Sequence, residues 1–144
     1  MNVHRPIYIL ILLLVSLSLS NCRSTTTIVE PGWIYIGKSK AGHLRERDVI
    51  NVHTQDLLTA LRVYVTEKNV VITSMKVHLI NGDILQPAIE STIPAGETSR
   101  VINLAADGRQ LRYVEFRCRS EGSIFQKRGV VQVIGKRYNP NGAY

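Results

Sequence analysis

The sequence lacks the short motifs by which common catalytic sites are recognised. Its 144 residues contain no Gly-x-Ser-x-Gly elbow, no phosphate-binding loop and no His-Glu-x-x-His pair. The corresponding hydrolases, nucleotide-binding enzymes and zinc peptidases are therefore not indicated. Only two cysteines and four histidines are present, and no His-x-x-x-His pair offers a compact metal site. We predict a protein that is not an enzyme and that uses no cofactor and no metal.

The sequence also lacks an apolar run long enough to cross a membrane. Residues 7–15 are nine consecutive apolar residues, whereas a membrane-spanning helix needs about 20. Their position behind His4 and Arg5 is typical of the hydrophobic region of an export signal. We therefore predict a signal segment over residues 1–21. The alternative is a buried N-terminal helix, which would be apolar on every side.

The end of this segment has two alternative interpretations. Leu19-Ser20-Asn21-Cys22 resembles a bacterial lipobox, in which the cysteine receives a diacylglyceryl group and becomes the new N-terminus. Asn21 departs from that pattern, where glycine, alanine or serine is usual. Lipidation of Cys22 would anchor the protein to a membrane of the bacterial envelope, in the periplasm or at the outer membrane. Simple cleavage after Ser20 would leave a periplasmic or secreted protein and permit a Cys22–Cys118 disulfide.

Most of the remaining chain has the period-2 alternation of β-strands. The clearest strands are predicted at residues 61–66, 70–80, 99–104 and 111–119, and further strands at 33–37, 48–52, 84–89 and 129–134. Residues 55–60 are predicted as a loop. Asn81-Gly82 predicts a type I′ hairpin turn, and Pro87 confines its strand to an edge or a bulge.

This pattern predicts an all-β fold without a convincing helix. Each amphipathic sheet must bury its apolar face, so about eight short strands indicate an antiparallel two-sheet β-sandwich. The sandwich is predicted over residues 33–135, after a polar tether at 22–32 and before a polar tail at 136–144. A composition of 44% hydrophobic residues suits one domain of this size. The formal net charge of +7 favours anionic partners.

The order of turn and core residues resembles a known group of proteins. The pattern includes Trp33-x-x-Ile36-Gly37, Leu61-x-Val63-x-Val65, Asn81-Gly82, Gly96-x-x-Ser99-Arg100, Gly108-Arg109 and Val114-x-Phe116. It is similar to small secreted bacterial β-sandwich domains of unknown function, of the periplasmic or envelope-lipoprotein type. The resemblance covers about residues 33–134. It implies the fold and carries over no catalytic residue.

The polar faces of the strands supply the main candidate site. If their strands share one sheet, five basic side chains form a patch with two tyrosines: Arg62, Lys76, His78, Arg117 and Arg119 with Tyr64 and Tyr113. Such a patch suits an anionic envelope polymer, such as a lipopolysaccharide core, a teichoic acid or extracellular DNA. The alternative is an ordinary solvated sheet face.

Other residues suggest weaker candidates. The conceivable metal ligands are His43, His53 and His78 with Asp48 and Asp56. An enzyme with an unrecognised site would need a pocket that brings together His43, Asp48, His53 and Asp56. The Asp107-Gly108-Arg109 turn is either functional or simply fixes a hairpin. We predict an exported, uncharacterised envelope protein that acts as a non-catalytic binding or structural module. The alternatives are a polyanion- or glycan-binding protein that uses the basic face and, second, an enzyme with an unrecognised site.

Overall fold

The computed structural model describes residues 29–44, 46–123 and 125–142. The predicted signal segment, Cys22 and most of the predicted tether lie outside these residues. The described residues form nine strands, and among them there is no helix with the length and hydropathy that a membrane span requires. The strands are β1 (Trp33–Lys40), β2 (Glu46–Asn51), β3 (Leu58–Thr66), β4 (Val70–Leu79), β5 (Ile84–Leu85), β6 (Ser91–Ile93), β7 (Ile102–Asn103), β8 (Leu111–Ser120) and β9 (Val130–Arg137).

The strands form two antiparallel sheets that pack face to face. One is a four-stranded sheet in the order β1-β9-β3-β7. The other is a five-stranded sheet in the order β2-β8-β4-β5, in which β6 also pairs with β4. The predicted all-β, antiparallel two-sheet sandwich is confirmed.

The core lies between the inner faces of the two sheets. In β3, Leu61, Val63 and Val65 are fully buried, as the alternation predicts. In β8, Phe116 and Cys118 are also buried, at 1% exposure each. Removing these apolar side chains from water is the main force that holds the sheets together, at about 25 cal/mol per Å² of apolar surface.

A bulge in β4 corrects the predicted side-chain alternation of that strand. Strict alternation through the strand predicted at residues 70–80 puts Thr73 on the apolar face with Val77, but the pairing with β8 shifts between Ile72 and Ser74. Ile72 and Met75 consequently both point inward and are fully buried. Thr73 is the additional residue that such a bulge inserts, and its hydroxyl donates a hydrogen bond to the Arg117 carbonyl at 2.9 Å.

The turn between β4 and β5 also differs from the expectation. Gly82 has a φ of 94°, whereas Asn81 is not among the described residues with positive φ. The Gly82 N–H donates to the Leu79 carbonyl at 3.2 Å, and the Asp83 N–H donates to Asn81 Oδ1 at 3.1 Å. A type I′ turn needs two positive φ angles, so the prediction was wrong. The geometry matches a three-residue loop, a type I turn followed by a left-handed glycine.

Several predicted boundaries move. β3 begins at Leu58, inside the segment predicted as a loop, and β2 begins at Glu46, two residues before its predicted start. β9 continues to Arg137, so the last strand extends beyond the predicted domain end at residue 135. The strands predicted at 84–89 and 99–104 shorten to the two-residue strands β5 and β7. Both lie at the edge of their sheet, where a strand has a pairing partner on one side only.

Candidate functional site

The outer face of the five-stranded sheet carries most of its polar side chains on β8 and its two neighbours. Because Phe116 and Cys118 point inward, Glu115, Arg117 and Arg119 point outward. In the register, Glu115 lies opposite Val49 of β2 and Lys76 of β4. Directly opposed residues have Cβ atoms about 5 Å apart, so the side chains of three strands form one continuous surface.

Glu115 lies at the centre of this surface. Arg47 Nη2 donates a hydrogen bond to Glu115 Oε2 at 2.9 Å, and His78 Nε2 lies 3.6 Å from the same oxygen. The Arg47 hydrogen bond lowers the pKa of the Glu115 carboxyl, against the opposing effect of burial, and the charges of Arg47 and Lys76 lower it further. Glu115 is therefore a fixed carboxylate surrounded by basic groups.

His78 is held by stacking on Tyr113. The two ring centroids are 4.0 Å apart and the rings are inclined by 20°, because His78 and Tyr113 are direct cross-strand partners. His78 Nε2 is buried and has no hydrogen-bond partner among the described residues. The stacked pair thus forms a flat, partly apolar edge beside the charged residues.

Arg117 is the cation with most freedom to bind a ligand. It lies directly opposite Arg47 in the register, and opposed like charges repel. Arg47 turns to Glu115, which leaves the exposed Arg117 guanidinium without an acidic partner in the described part of the chain. Arg119 lies two residues further along the same face, opposite Val71.

We call this surface the basic face. It comprises Arg47, Lys76, His78, Tyr113, Glu115, Arg117 and Arg119. Among these residues four are permanent cations and one, Glu115, is a carboxylate. Chemically, such a surface attracts and holds anionic groups, and its tyrosine and histidine rings offer a contact for sugar or base rings.

Two residues predicted in the patch lie elsewhere, which corrects that prediction. Arg62 and Tyr64 are on β3, which pairs with β9 in the four-stranded sheet, whereas β4 and β8 belong to the other sheet. Their outward faces are on opposite sides of the sandwich. Arg62 stacks over the Trp33 ring at 4.4 Å and donates to both Glu30 carboxylate oxygens at 3.2 Å. Its charge is thus already paired within the chain.

The two aspartates among the conceivable metal ligands have separate partners. Cys118 Sγ donates to Asp48 Oδ2 at 3.3 Å, whereas Asp56 accepts from Thr54 at 2.6 Å and from Arg137 at 3.0 Å. Within the described ranges, no group of three or more His, Cys, Asp or Glu side chains could hold a metal ion. Burial is the main reason that the pKa of the Cys118 thiol is raised, and the hydrogen bond to Asp48 raises it further.

The Asp107-Gly108-Arg109 turn has a structural explanation. Gly108 has a φ of 78°, and a Cβ there would lie 2.8 Å from Leu57 Cβ. Arg109 Nη1 donates to Asp107 Oδ1 at 2.7 Å. The Arg109 N–H also donates to the Leu58 carbonyl at 2.8 Å. These contacts fix the entrance to β8 and to β3.

Sequence reasoning missed Arg47 as a member of the basic face. The strand was predicted over residues 48–52, so Arg47 fell just before its start. The period-2 alternation of the strand extends back to Arg47, which shares the exposed face with Val49, whereas Ile50 is buried. Alternation in the strand predicted at residues 111–119 places Glu115 on the same face as Arg117, but its contact with Arg47 depends on the pairing of β2 with β8.

The fold and this surface define an all-β sandwich with a basic outer face. A family model described as "Domain of unknown function (DUF2541)" matches residues 8–135, so the chain belongs to that family, and the expected resemblance to a family of unknown function is confirmed. No curated protein matches the sequence. Among solved structures, one from the "Structural and functional characterization of Pseudomonas aeruginosa AlgX" is similar, with a TM-score of 0.41 and 14% identity. The match covers 72% of this chain and 27% of that chain.

Proposed function

We propose that this domain is a non-catalytic binding module of the bacterial cell envelope that holds anionic polymers on its basic face. The observation that carries the proposal is the composition of the basic face, where four permanent cations share one surface with a single carboxylate, Glu115. A face that served only solubility would be expected to mix the two signs of charge more evenly. The excess of cations on one sheet therefore favours a polyanionic ligand.

The two free arginines are the primary ligand groups in this proposal. Arg117 and Arg119 project from the same side of β8, and strand residues two apart are about 6.6 Å apart along the chain. This spacing is suited to successive charged groups of an extended polymer. Arginine also forms bidentate hydrogen bonds with phosphate, sulfate and carboxylate groups.

Export and anchoring complete the proposal. The leader pattern at residues 1–21 and the lipobox-like Leu19-Ser20-Asn21-Cys22 support a module tethered by a lipid on Cys22. The intact mass of the protein from host membranes tests this directly. A diacylglyceryl mass that disappears in Cys22→Ala supports the tether. A plain cut after Ser20 would reject it and leave a soluble exported module.

Retention on heparin, a sulfated polyanion, tests the binding surface. We expect salt-sensitive retention of the wild-type protein, and earlier elution of Arg117→Glu and of the double variant Arg117→Glu/Arg119→Glu. Lys38→Glu is the matched control, because Lys38 is an exposed residue of β1 in the other sheet and its substitution makes the same charge change. Equal effects of Arg117→Glu and Lys38→Glu would reject the basic face as the binding surface.

A purely structural role is the competing function. It predicts that the charge-reversed variants differ from the wild type neither in heparin retention nor in association with anionic polymers isolated from the host envelope. Thermal unfolding of each variant serves as the folding control. Arg117 has no acidic partner in the described chain, so its substitution should not lower the unfolding temperature, and a loss of heparin retention would then reflect lost binding.

A further inference from the structure

Two loops meet at the end of the sandwich where β1 and β8 finish and β9 begins. The loop after β1 and the loop between β8 and β9 are joined by backbone hydrogen bonds. The Ala41 N–H donates to the Gly129 carbonyl at 2.9 Å, and the Ser120 N–H donates to the Gly42 carbonyl at 2.7 Å. We call this end the apex and define it by Lys40, Leu44, Phe125, Lys127 and Arg128.

The apex exposes two large apolar side chains. Phe125 is 92% exposed and Leu44 is 72% exposed, the two highest values among the exposed large hydrophobic residues of the described chain. A single exposed apolar residue is normal on a protein surface. Two such residues on adjoining loops are more unusual, since both would gain from leaving water together.

Beside Phe125 lies a basic cleft with a volume of about 530 Å³. Its lining comprises Lys40, Glu67, Gln126, Lys127, Arg128 and Val130. Three cations therefore face one carboxylate. Lys127 Nζ lies 3.8 Å from Glu67 Oε2, but the lysine side chain is 83% exposed, so this ion pair is weak and easily exchanged for another anion.

The loop that carries these cations ends at a fixed point. The Gly129 N–H donates to Ser120 Oγ at 2.8 Å in a buried hydrogen bond. A Cβ on Gly129 would lie 2.4 Å from Val70 Cγ2 and 2.7 Å from the Lys68 carbonyl oxygen. This close packing holds the backbone directly after Arg128, so the cleft does not rest on a freely moving strand end.

We propose that the apex docks on an anionic lipid surface, with lipid phosphates in the cleft and with Phe125 and Leu44 in the interfacial layer. Charge complementarity selects this occupant, because apolar tips bracketed by lysine and arginine are the pattern of surfaces that bind anionic bilayers. A soluble polyanion would engage the cations but would leave Phe125 and Leu44 in water.

The apex is separable from a lipid anchor on Cys22. β1 begins at Trp33, which pairs with Lys136, and ends at Lys40, which pairs with Val130 at the apex. Eight strand residues span about 26 Å at about 3.3 Å per residue. The chain therefore enters β1 at the end opposite the apex, and docking of the apex is a second membrane contact.

Fluorescence of a Phe125→Trp variant tests the proposal in the exported protein. The wild-type protein, whose single tryptophan Trp33 is 8% exposed, gives the background signal. We expect the new tryptophan to shift to shorter wavelength and to be quenched by brominated acyl chains in phosphatidylglycerol vesicles, and to do neither in phosphatidylcholine vesicles. The readout is local to the apex, so it does not depend on any acyl group elsewhere.

Charge reversal in the Phe125→Trp background identifies the surface responsible. Lys127→Glu/Arg128→Glu should raise the anionic-lipid concentration for half-maximal quenching by roughly thirtyfold, as expected for the loss of two headgroup contacts. Arg112→Glu/Lys136→Glu makes the same charge change at the opposite end of the sandwich, where Lys136 pairs with Trp33 and Arg112 lies near the start of β8, and should leave quenching unchanged. Equal effects of the two pairs, or no quenching, would overturn the proposal.

Binding of a soluble phosphate tests the alternative that the cleft holds a free phosphate and not a lipid headgroup. Binding of glycerol phosphate in the cleft with equal affinity by the wild type and Phe125→Ser, without quenching in vesicles, would assign the cleft to a free phosphate and overturn membrane docking. A negative result for membrane docking would not change the expected heparin retention through Arg117 and Arg119. The two proposals are therefore tested separately.

Discussion

Arg47 and Arg117 lie directly opposite each other on β2 and β8, yet among the described residues only Arg47 has a carboxylate partner. Arg47 reaches along the sheet to Glu115, at 2.9 Å, and this contact removes the repulsion that two opposed guanidinium groups would otherwise create. The same contact leaves Arg117 available. One glutamate thus decides which arginine is structural and which can bind a ligand.

The first prediction concerns Glu115→Gln. Removal of the carboxylate from the basic face should lengthen heparin retention, in contrast to the charge reversal of Arg117. It should also cost up to about 1 kcal/mol of stability, because the ion pair with the 59%-exposed Arg47 side chain is lost. Gradient elution and chemical unfolding measure the two effects. Shorter retention of a fully folded Glu115→Gln protein would contradict the assignment of Glu115 as the neutralising group.

The pH dependence of stability follows from the same contact. Arg47 lowers the pKa of Glu115 from its ordinary 4.5, so the unfolded chain takes up this proton at a higher pH than the folded protein does. The stabilisation is therefore fully present above the ordinary pKa and is lost as the pH falls through the lowered one. Thermal unfolding below pH 4.5 should decline less steeply in Glu115→Gln than in the wild type. Identical slopes would show that this pair contributes nothing.

The sequence predicts the two faces of each strand better than it predicts which strands are neighbours. Alternation in residues 111–119 correctly separates Phe116 and Cys118 from Arg117, because a strand has a period of two whatever surrounds it. Alternation does not show that Arg62 and Arg117 lie on different sheets, since the division of β3 and β8 between two sheets depends on long-range pairing. The contact between Arg47 and Glu115 spans 68 residues and has no local signal.

Local irregularities escape the sequence for a related reason. The bulge at Thr73 keeps Ile72 and Met75 both in the core, and only the packing of two sheets makes that arrangement favourable. The loop at Asn81 and Gly82 carries the residues of a type I′ turn, yet its geometry is set by the pairing of Leu79 with Asp83 around it. In both places tertiary packing determined the backbone, and residue preference alone was insufficient.

The reactivity of Cys118 is a further prediction. Its thiol is buried at 1% exposure and donates to Asp48, and both features raise its pKa. Because the thiolate is the reactive form, Cys118 should resist iodoacetamide at about pH 8 in the folded protein and react once the protein is unfolded in denaturant. Peptide-level mass spectrometry distinguishes Cys118 from Cys22. Rapid labelling of Cys118 in the native state would contradict its burial.

The last prediction concerns the packing of Gly129. An added methyl group would lie 2.4 Å from Val70 Cγ2 and 2.7 Å from the Lys68 carbonyl oxygen, so Gly129→Ala should destabilise the fold by about 1–3 kcal/mol through overpacking. Gly82→Ala is the comparison, because it meets no atom within 4 Å and is strained only by its φ of +94°. Chemical unfolding should rank Gly129→Ala as the less stable protein. The reverse order would mean that the backbone after Arg128 yields easily, and the apex cleft would then lose its fixed support.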